Sequence, residues 1–224
     1  LGTTFSAIAS LDDLGNPEVL ASIEDNRKIT ASAIYLKDNE VVVGDKALSY
    51  LKDQSKNVIL QTKREMENDV VYSTDQGKWV SDTDLVEAYT PAQVSSLILK
   101  KLKEYTSDVK KVVITVPAMF AEKARQATLD AAKIADLEVI ELINEPTAAV
   151  LHYASLPGVE VGGRVMIFDL GGGTFDVTFA EVKNKKVDVL TSRGDKYLGG
   201  RDFDREITKL MKKKYFDIHN VEID

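Results

Sequence analysis

The 224-residue chain has no cysteine, which excludes disulfides, thiolate nucleophiles and zinc–cysteine centres. It has two histidines, His152 and His219, too few for a histidine-built metal cage. No apolar run reaches the roughly 20 residues that a membrane span requires. An excess of basic charge is missing too: Lys and Arg total 29 against 36 Asp and Glu, a net charge of −7. That balance argues against nucleic acid and membrane surfaces as partners, because both are anionic. The common phosphate and nucleophile signatures are also lacking. There is no G-x-x-x-x-G-K-[ST], no complete G-x-G-x-x-G and no G-x-S-x-G. What the chain does have is a 44% share of hydrophobic residues, enough for a globular core and too many for disorder.

Strand and helix signals alternate, which predicts an α/β class with hairpins mixed in. Strands are expected at 5–10, 29–36, 41–43, 111–116, 138–143, 164–170, 175–182 and 187–192. A helix at 45–53 would place Ala47, Leu48 and Leu51 on one face, whereas 57–88 reads as polar and irregular. The clearest helix spans 91–105, with Thr90 as N-cap, Pro91 at the first helical position and Gln93 completing a capping box. Its apolar residues Val94, Leu97, Ile98, Leu102 and Tyr105 keep a helical spacing. Further helices are expected at 121–135, at 145–154 with His152 packed, and near 200–214. The last would turn Phe203, Ile207, Leu210 and Met211 inward and end on the solvated lysines 212–214. Residues 158–163 form a turn-rich break between two lobes. Along 175–179, Phe175, Val177 and Phe179 share one face, and Thr174, Asp176 and Thr178 the other.

One internal similarity carries chemistry. LGTTFSAIA at 1–9 matches LGGGTFDVTFA at 170–180 once a one-residue gap aligns Thr4 and Phe5 with Thr174 and Phe175. Both read as a glycine–threonine turn running into a strand, which suggests a duplicated fold with two facing lobes. Backbone N–H groups at glycine approach an anion closely, because no Cβ intervenes. A threonine hydroxyl beside them adds a donor. Two such turns would grip a nucleotide's phosphates from both sides, with Asp169 placed to hold hydrated magnesium. An ordinary hairpin bend at Gly172 and Gly173 is the other reading of the same residues.

The chain resembles the N-terminal part of the ATPase domain of the heat shock protein 70 (DnaK-type) chaperones. The stretches that carry the resemblance are LGTTFS (1–6), VVVGDKAL (41–48), TKRE (62–65), VPAMF (116–120), RQATLDAAKIA (125–135), INEPTAAV (143–150), IFDLGGGTFDV (167–177) and LGGRDFD (198–204). They run in family order from end to end. The resemblance implies an actin-like ATPase (ribonuclease H-like) fold, two-lobed and duplicated, present here as a piece of a longer chain. Residues 1–28 and 89–158 would form the first-lobe core and 29–88 its peripheral subdomain. Residues 159–198 would begin the second-lobe core, and 199–224 its peripheral part.

It also implies ATP or ADP with Mg2+ as ligands. Gly2, Thr3 and Thr4 would contact the β- and γ-phosphates, opposite Gly171, Gly172 and Gly173, with Thr174 beside the γ-phosphate. Lys63 would be the catalytic lysine, its other reading being a solvated helix residue. Glu145 and Asp169 would hold magnesium-bound waters with Asp176 behind them, and Glu145 also suits the start of the helix at Pro146. Pro117 and Arg125 would form the switch linking nucleotide state to a peptide-binding domain. The implied partners are unfolded client peptides, a J-domain cochaperone and a nucleotide exchange factor, in the cytoplasm.

Four departures stand against the family pattern. Glu141 replaces an arginine before INEP, which argues against a standard J-protein. Arg201 replaces the acidic residue of GGEDFD, Lys196 and Tyr197 replace Thr and His, and Ala121 replaces a polar helix cap. The leading expectation is a chaperone ATPase domain that binds nucleotide weakly or not at all by itself. A non-hydrolysing regulatory relative and an actin-like filament protein are the alternatives.

Overall fold

The computed structural model describes residues 1–223 apart from 39, 82–84, 86–87 and 185. The helix Pro91–Lys103 organises its first half. Thr90 Oγ1 accepts from Gln93 N at 3.2 Å, and Gln93 Oε1 accepts from Thr90 N at 2.8 Å. Two donors that the helix leaves unpaired are thereby satisfied. Val94, Ile98 and Leu102 pack on Ile34, Leu36, Ile59 and Tyr72, each burial stabilising by on the order of 2 kcal/mol. Leu99, on another flank, meets Ile114, Ala131 and Ala132, so one helix joins two units.

The first unit is an antiparallel sheet with Ala33–Lys37 between Glu40–Val43 and Val58–Leu60. Beside it, Phe5–Ser6 pairs with Thr30–Ala31 and Ala9–Leu11 with Pro17–Val19. The second unit is the parallel pair Lys111–Val116 and Glu138–Asn144, connected through the helix Glu122–Ile134. After the helix Glu145–Ser155, the chain builds an antiparallel meander of Gly163–Leu170, Phe175–Lys183 and Lys186–Asp195. The helix Gly200–His219 follows. The architecture is mixed α/β with small sheets.

Several expectations need correction. Within 57–88, Val71–Ser73 pairs with Lys78–Val80 and Ala88–Tyr89, in strands of two or three residues, too short to display an alternation. The strand expected at 29–36 breaks at Ser32, whose N–H donates to Thr4 O at 2.8 Å. The helix expected at 45–53 is two short ones, Asp45–Leu48 and Leu51–Gln54, with Ala47 buried and Leu51 exposed. Phe203, Ile207, Leu210 and Met211 do not face inward; Leu210 is 68% exposed. Periodicity marks the apolar side of a helix without showing what covers it. His152 is exposed rather than packed, and Lys212, Lys213 and Lys214 are solvated but lie inside a helix that continues to His219.

In the central strand of the meander the polar face is the buried one. Asp176 and Thr178 point inward with Ala180 and Val182, while Phe179 is exposed. Thr178 and Ser192 satisfy each other at 2.9 Å between hydroxyls.

Candidate functional site

The two glycine–threonine turns meet. Ser6 and Ser32 hold the first: Gly2 N donates to Ser6 Oγ at 3.0 Å, and Gly2 O accepts from Ser32 Oγ at 2.8 Å. The second closes on itself, with Gly171 N donating to Thr174 O at 2.9 Å. Gly171 O and Gly172 O accept from Gly200 N at 3.0 Å and Arg201 N at 3.1 Å, so the start of the last helix fastens the turn. A Cβ on Gly172 would lie 1.8 Å from Thr4 Oγ1, and one on Gly173 2.2 Å from Thr3 Cγ2. Any larger residue would push the turns apart. Thr3 and Thr174 are buried and Thr4 is exposed.

Lys63 sits beside these turns. Its 3-10 turn, Thr62–Glu65, is entered through Gln61 in the left-handed region at φ 60, a conformation that non-glycine residues seldom adopt. The turn delivers the Lys63 side chain into the interior, where it is 7% exposed and Nζ lies 2.5 Å from Glu145 Oε1. Nζ also stands 5.9 Å from the centre of the Phe120 ring, within cation–π range. Glu145 occupies the first turn of its helix, next to Pro146, where a negative charge also suits the helix dipole.

Arg125 supports both neighbours of Lys63. Its Nε donates to Phe120 O at 3.1 Å, and its guanidinium donates to Asn144 Oδ1 at 2.7 Å, directly before Glu145. Pro117 is buried, and its carbonyl accepts from Phe120 N at 3.1 Å.

Asp169 and Asp176 face each other across adjacent strands of the meander. Burial, followed by the charges of Glu145 and Asp169, pushes the Asp176 carboxyl up to about 6, with Lys63 acting against the rise. Asp169 is raised for the same reasons, burial first and Glu145 second. Asp176 Oδ1 is buried without a hydrogen-bond partner. Three carboxylates that share one lysine leave negative charge uncompensated, and a cation with its water shell would suit that deficit. Among the described residues no group of three or more His, Cys, Asp or Glu is spaced to hold a metal ion.

Arg64 and Asp202, outside the residues expected at the site, brace the second turn. Arg64 Nε donates to Gly173 O at 2.7 Å, and its guanidinium pairs with Asp202, which also accepts from Gly199 N at 3.0 Å. The hydrogen bond from Arg64 holds the Asp202 carboxyl below its ordinary range. Their signal was adjacency, since one follows Lys63 and the other stands third in the last helix. Glu141 is exposed on Glu138–Asn144, and Ala121 stands at the start of Glu122–Ile134 without a side-chain cap.

The family model described as Hsp70 protein matches residues 1–224. The chain is 40% identical over 224 residues to the chaperone protein DnaK of Mycoplasmopsis agalactiae, covering 96% of this chain and 35% of that protein. It is 36% identical over 231 residues to the chaperone protein DnaK of Thermotoga neapolitana, covering 100% of this chain and 36% of the relative. The namesake from Thermosipho africanus is 38% identical over 231 residues, with the same coverage. The chain therefore spans about a third of the length of these curated relatives.

Proposed function

The chain belongs to the Hsp70 family, and from that premise we propose that it forms the phosphate-gripping part of a chaperone's ATPase domain, with an actin-like fold. The observation that carries this reading is the contact of two glycine–threonine turns beside a buried lysine. Thr3 with Thr4, and Gly172 with Gly173, belong to turns that touch each other. Phosphates held between them require the turns to part, and the N–H groups and hydroxyls then have anionic oxygens to bind.

In this mechanism Gly2, Thr3, Thr4, Gly171, Gly172, Gly173 and Thr174 bind and orient the phosphates. Lys63 turns its ammonium from Glu145 toward the γ-phosphoryl group, where it stabilises charge and orients the attacking water. Glu145, Asp169 and Asp176 would hold Mg2+ through its waters, and the orphaned Asp176 Oδ1 supports that assignment. Magnesium, when bound, neutralises phosphate charge. Arg125 and Pro117 keep Phe120 and Asn144 in place around Lys63, a position suited to passing nucleotide state onward. The subdomain limits are those named for 1–28 with 89–158, 29–88, 159–198 and 199–224. The partners proposed for the full-length protein are client peptides, an exchange factor and a cochaperone that tolerates Glu141, in the cytoplasm.

Single-turnover hydrolysis of Mg-ATP tests the reading, using the full-length protein that carries this chain beside its Lys63→Ala variant. Slow hydrolysis that the substitution abolishes while nucleotide stays bound is the expected result. Bound ATP that neither protein hydrolyses would replace the enzyme with a regulatory relative. The isolated chain should bind nucleotide weakly, and micromolar affinity in a titration would overturn that part.

A further inference from the structure

The first glycine–threonine turn is held by a closed ring of hydrogen bonds. Gly2 N donates to Ser6 Oγ at 3.0 Å, Ser6 Oγ and Ser32 Oγ lie 2.9 Å apart, and Ser32 Oγ donates to Gly2 O at 2.8 Å. A hydroxyl has one hydrogen to give. Ser32 spends its own on Gly2 O, so the bond between the two serines runs from Ser6 to Ser32. The ring therefore has a single direction, from Gly2 N–H through Ser6 and Ser32 to the Gly2 carbonyl, and each bond polarises the next. Ser6 is 3% exposed and Ser32 4%, so water does not compete for either hydroxyl. Ser32 also grips the turn through its backbone, its N–H donating to Thr4 O at 2.8 Å. One residue thus holds the carbonyls of both Gly2 and Thr4.

We propose that Ser32 is a positioning residue for the phosphates: through the ring it sets the direction of the Thr3 N–H and the place of Thr4. A trans peptide is planar, with its N–H opposite its C=O. Fixing Gly2 O toward Ser32 therefore turns the Thr3 N–H away from Ser32. Thr3 and Thr4 are the residues whose side chains meet Gly173 and Gly172 of the second turn, so the ring holds the part of the first turn that faces its counterpart. A Cβ on Gly2 would lie 2.0 Å from Phe5 O, which shows how tightly this turn folds back on itself. The anchor is rigid, because Ala31 and Ala33 on either side of Ser32 are buried in a cluster with Tyr35, Ala47 and Val58. Both serines are buried, and they act through the backbone of Gly2 and Thr4 rather than by touching the ligand. Donors that are already aimed lose little freedom on binding, so the ring contributes to affinity for phosphate and not for the rest of the nucleotide. This inference rests on the nucleotide-binding reading above.

The test uses the full-length protein that carries this chain, beside its Ser32→Ala and Ser6→Ala variants. Hydrogen exchange without nucleotide reports the ring itself, and the Gly2 amide should exchange faster in both variants. Titration with ATP, ADP and adenosine reports the consequence. Affinity for ATP and ADP should fall about tenfold, the effect of one lost hydrogen bond. Affinity for adenosine, which carries no phosphate for the turn to hold, should stay unchanged. The double variant Ser6→Ala/Ser32→Ala should lose little more than either single one, because opening the ring at one place opens it all. Should Ser32→Ala fail to fold, Ser32→Cys fills the site with a weaker donor and carries the same comparison. Exchange at Gly2 that is unaltered in every variant, or losses that simply add, overturns the ring. Faster exchange with unaltered ATP and ADP affinity overturns the positioning role. An equal loss for adenosine overturns it too, since that is general loosening. Failure of the unsubstituted protein to bind ATP overturns the nucleotide reading and the positioning role together, and the exchange data then still decide whether the ring exists.

Discussion

Lys63 and Glu145 lie 82 residues apart in the chain, yet Nζ and Oε1 approach to 2.5 Å. The 3-10 turn Thr62–Glu65 brings the lysine inward, and the start of the helix Glu145–Ser155 brings the carboxylate. Lys63 is 7% exposed and Glu145 22%, so cutting the pair from either side leaves a charge poorly solvated. Glu145→Gln leaves a buried ammonium without its counterion and should cost about 3 kcal/mol. Lys63→Met preserves volume but takes the one lysine from Glu145, Asp169 and Asp176, and should also cost about 3 kcal/mol. Urea unfolding of both variants checks these costs, and losses below about 1 kcal/mol in both would show that the pair is solvated in solution.

Asp176 makes stability depend on pH. Its carboxyl is raised in the folded protein to about 6 from 3.8, so the folded state keeps its proton while the unfolded chain releases it. Stability should fall as pH rises from about 4 to about 6, by on the order of 2 kcal/mol, and level off above. Thermal melting across that range without magnesium should show the decline, and Asp176→Asn should reduce it, leaving the contribution of Asp169, whose carboxyl is also raised. Millimolar magnesium should reduce the slope at the upper end, because a cation favours the ionised carboxylate. Identical pH profiles for the two proteins would refute the assignment.

The contact between the turns makes Gly173 intolerant of a side chain. Gly173→Ala would set a methyl group 2.2 Å from Thr3 Cγ2, and such overpacking should cost about 1–3 kcal/mol. Thr3→Ser removes that Cγ2, so the double variant should recover part of the loss. Chemical denaturation of the two single variants and the double variant measures the coupling. Strict additivity would mean that the turns do not touch in solution.

A purely structural control is Thr90→Ala, which removes the hydroxyl that accepts from Gln93 N. It should lower stability by about 1 kcal/mol and leave nucleotide behaviour unaltered. A change in hydrolysis on this substitution would show that the helix Pro91–Lys103 transmits to the site.

The sequence by itself determined whatever depends on near neighbours. Thr90, Pro91 and Gln93 specify a helix start through bonds within four residues. The alternation along 175–179 sorts side chains to two faces because successive Cβ atoms point oppositely. The repeated glycine–threonine turn is legible because its backbone demands small residues. Tertiary structure decided which face is buried, and it buried the polar one, Asp176 with Thr178. It turned the apolar side of Gly200–His219 outward, and it paired Val58–Leu60 with Ala33–Tyr35 from an earlier stretch of the chain. It alone joined Lys63 to Glu145 and Arg64 to Asp202, since an ion pair between residues 82 or 138 apart leaves no periodicity to read. Local bonds are written in residue order, whereas burial and charge pairing depend on which distant segments close over a site.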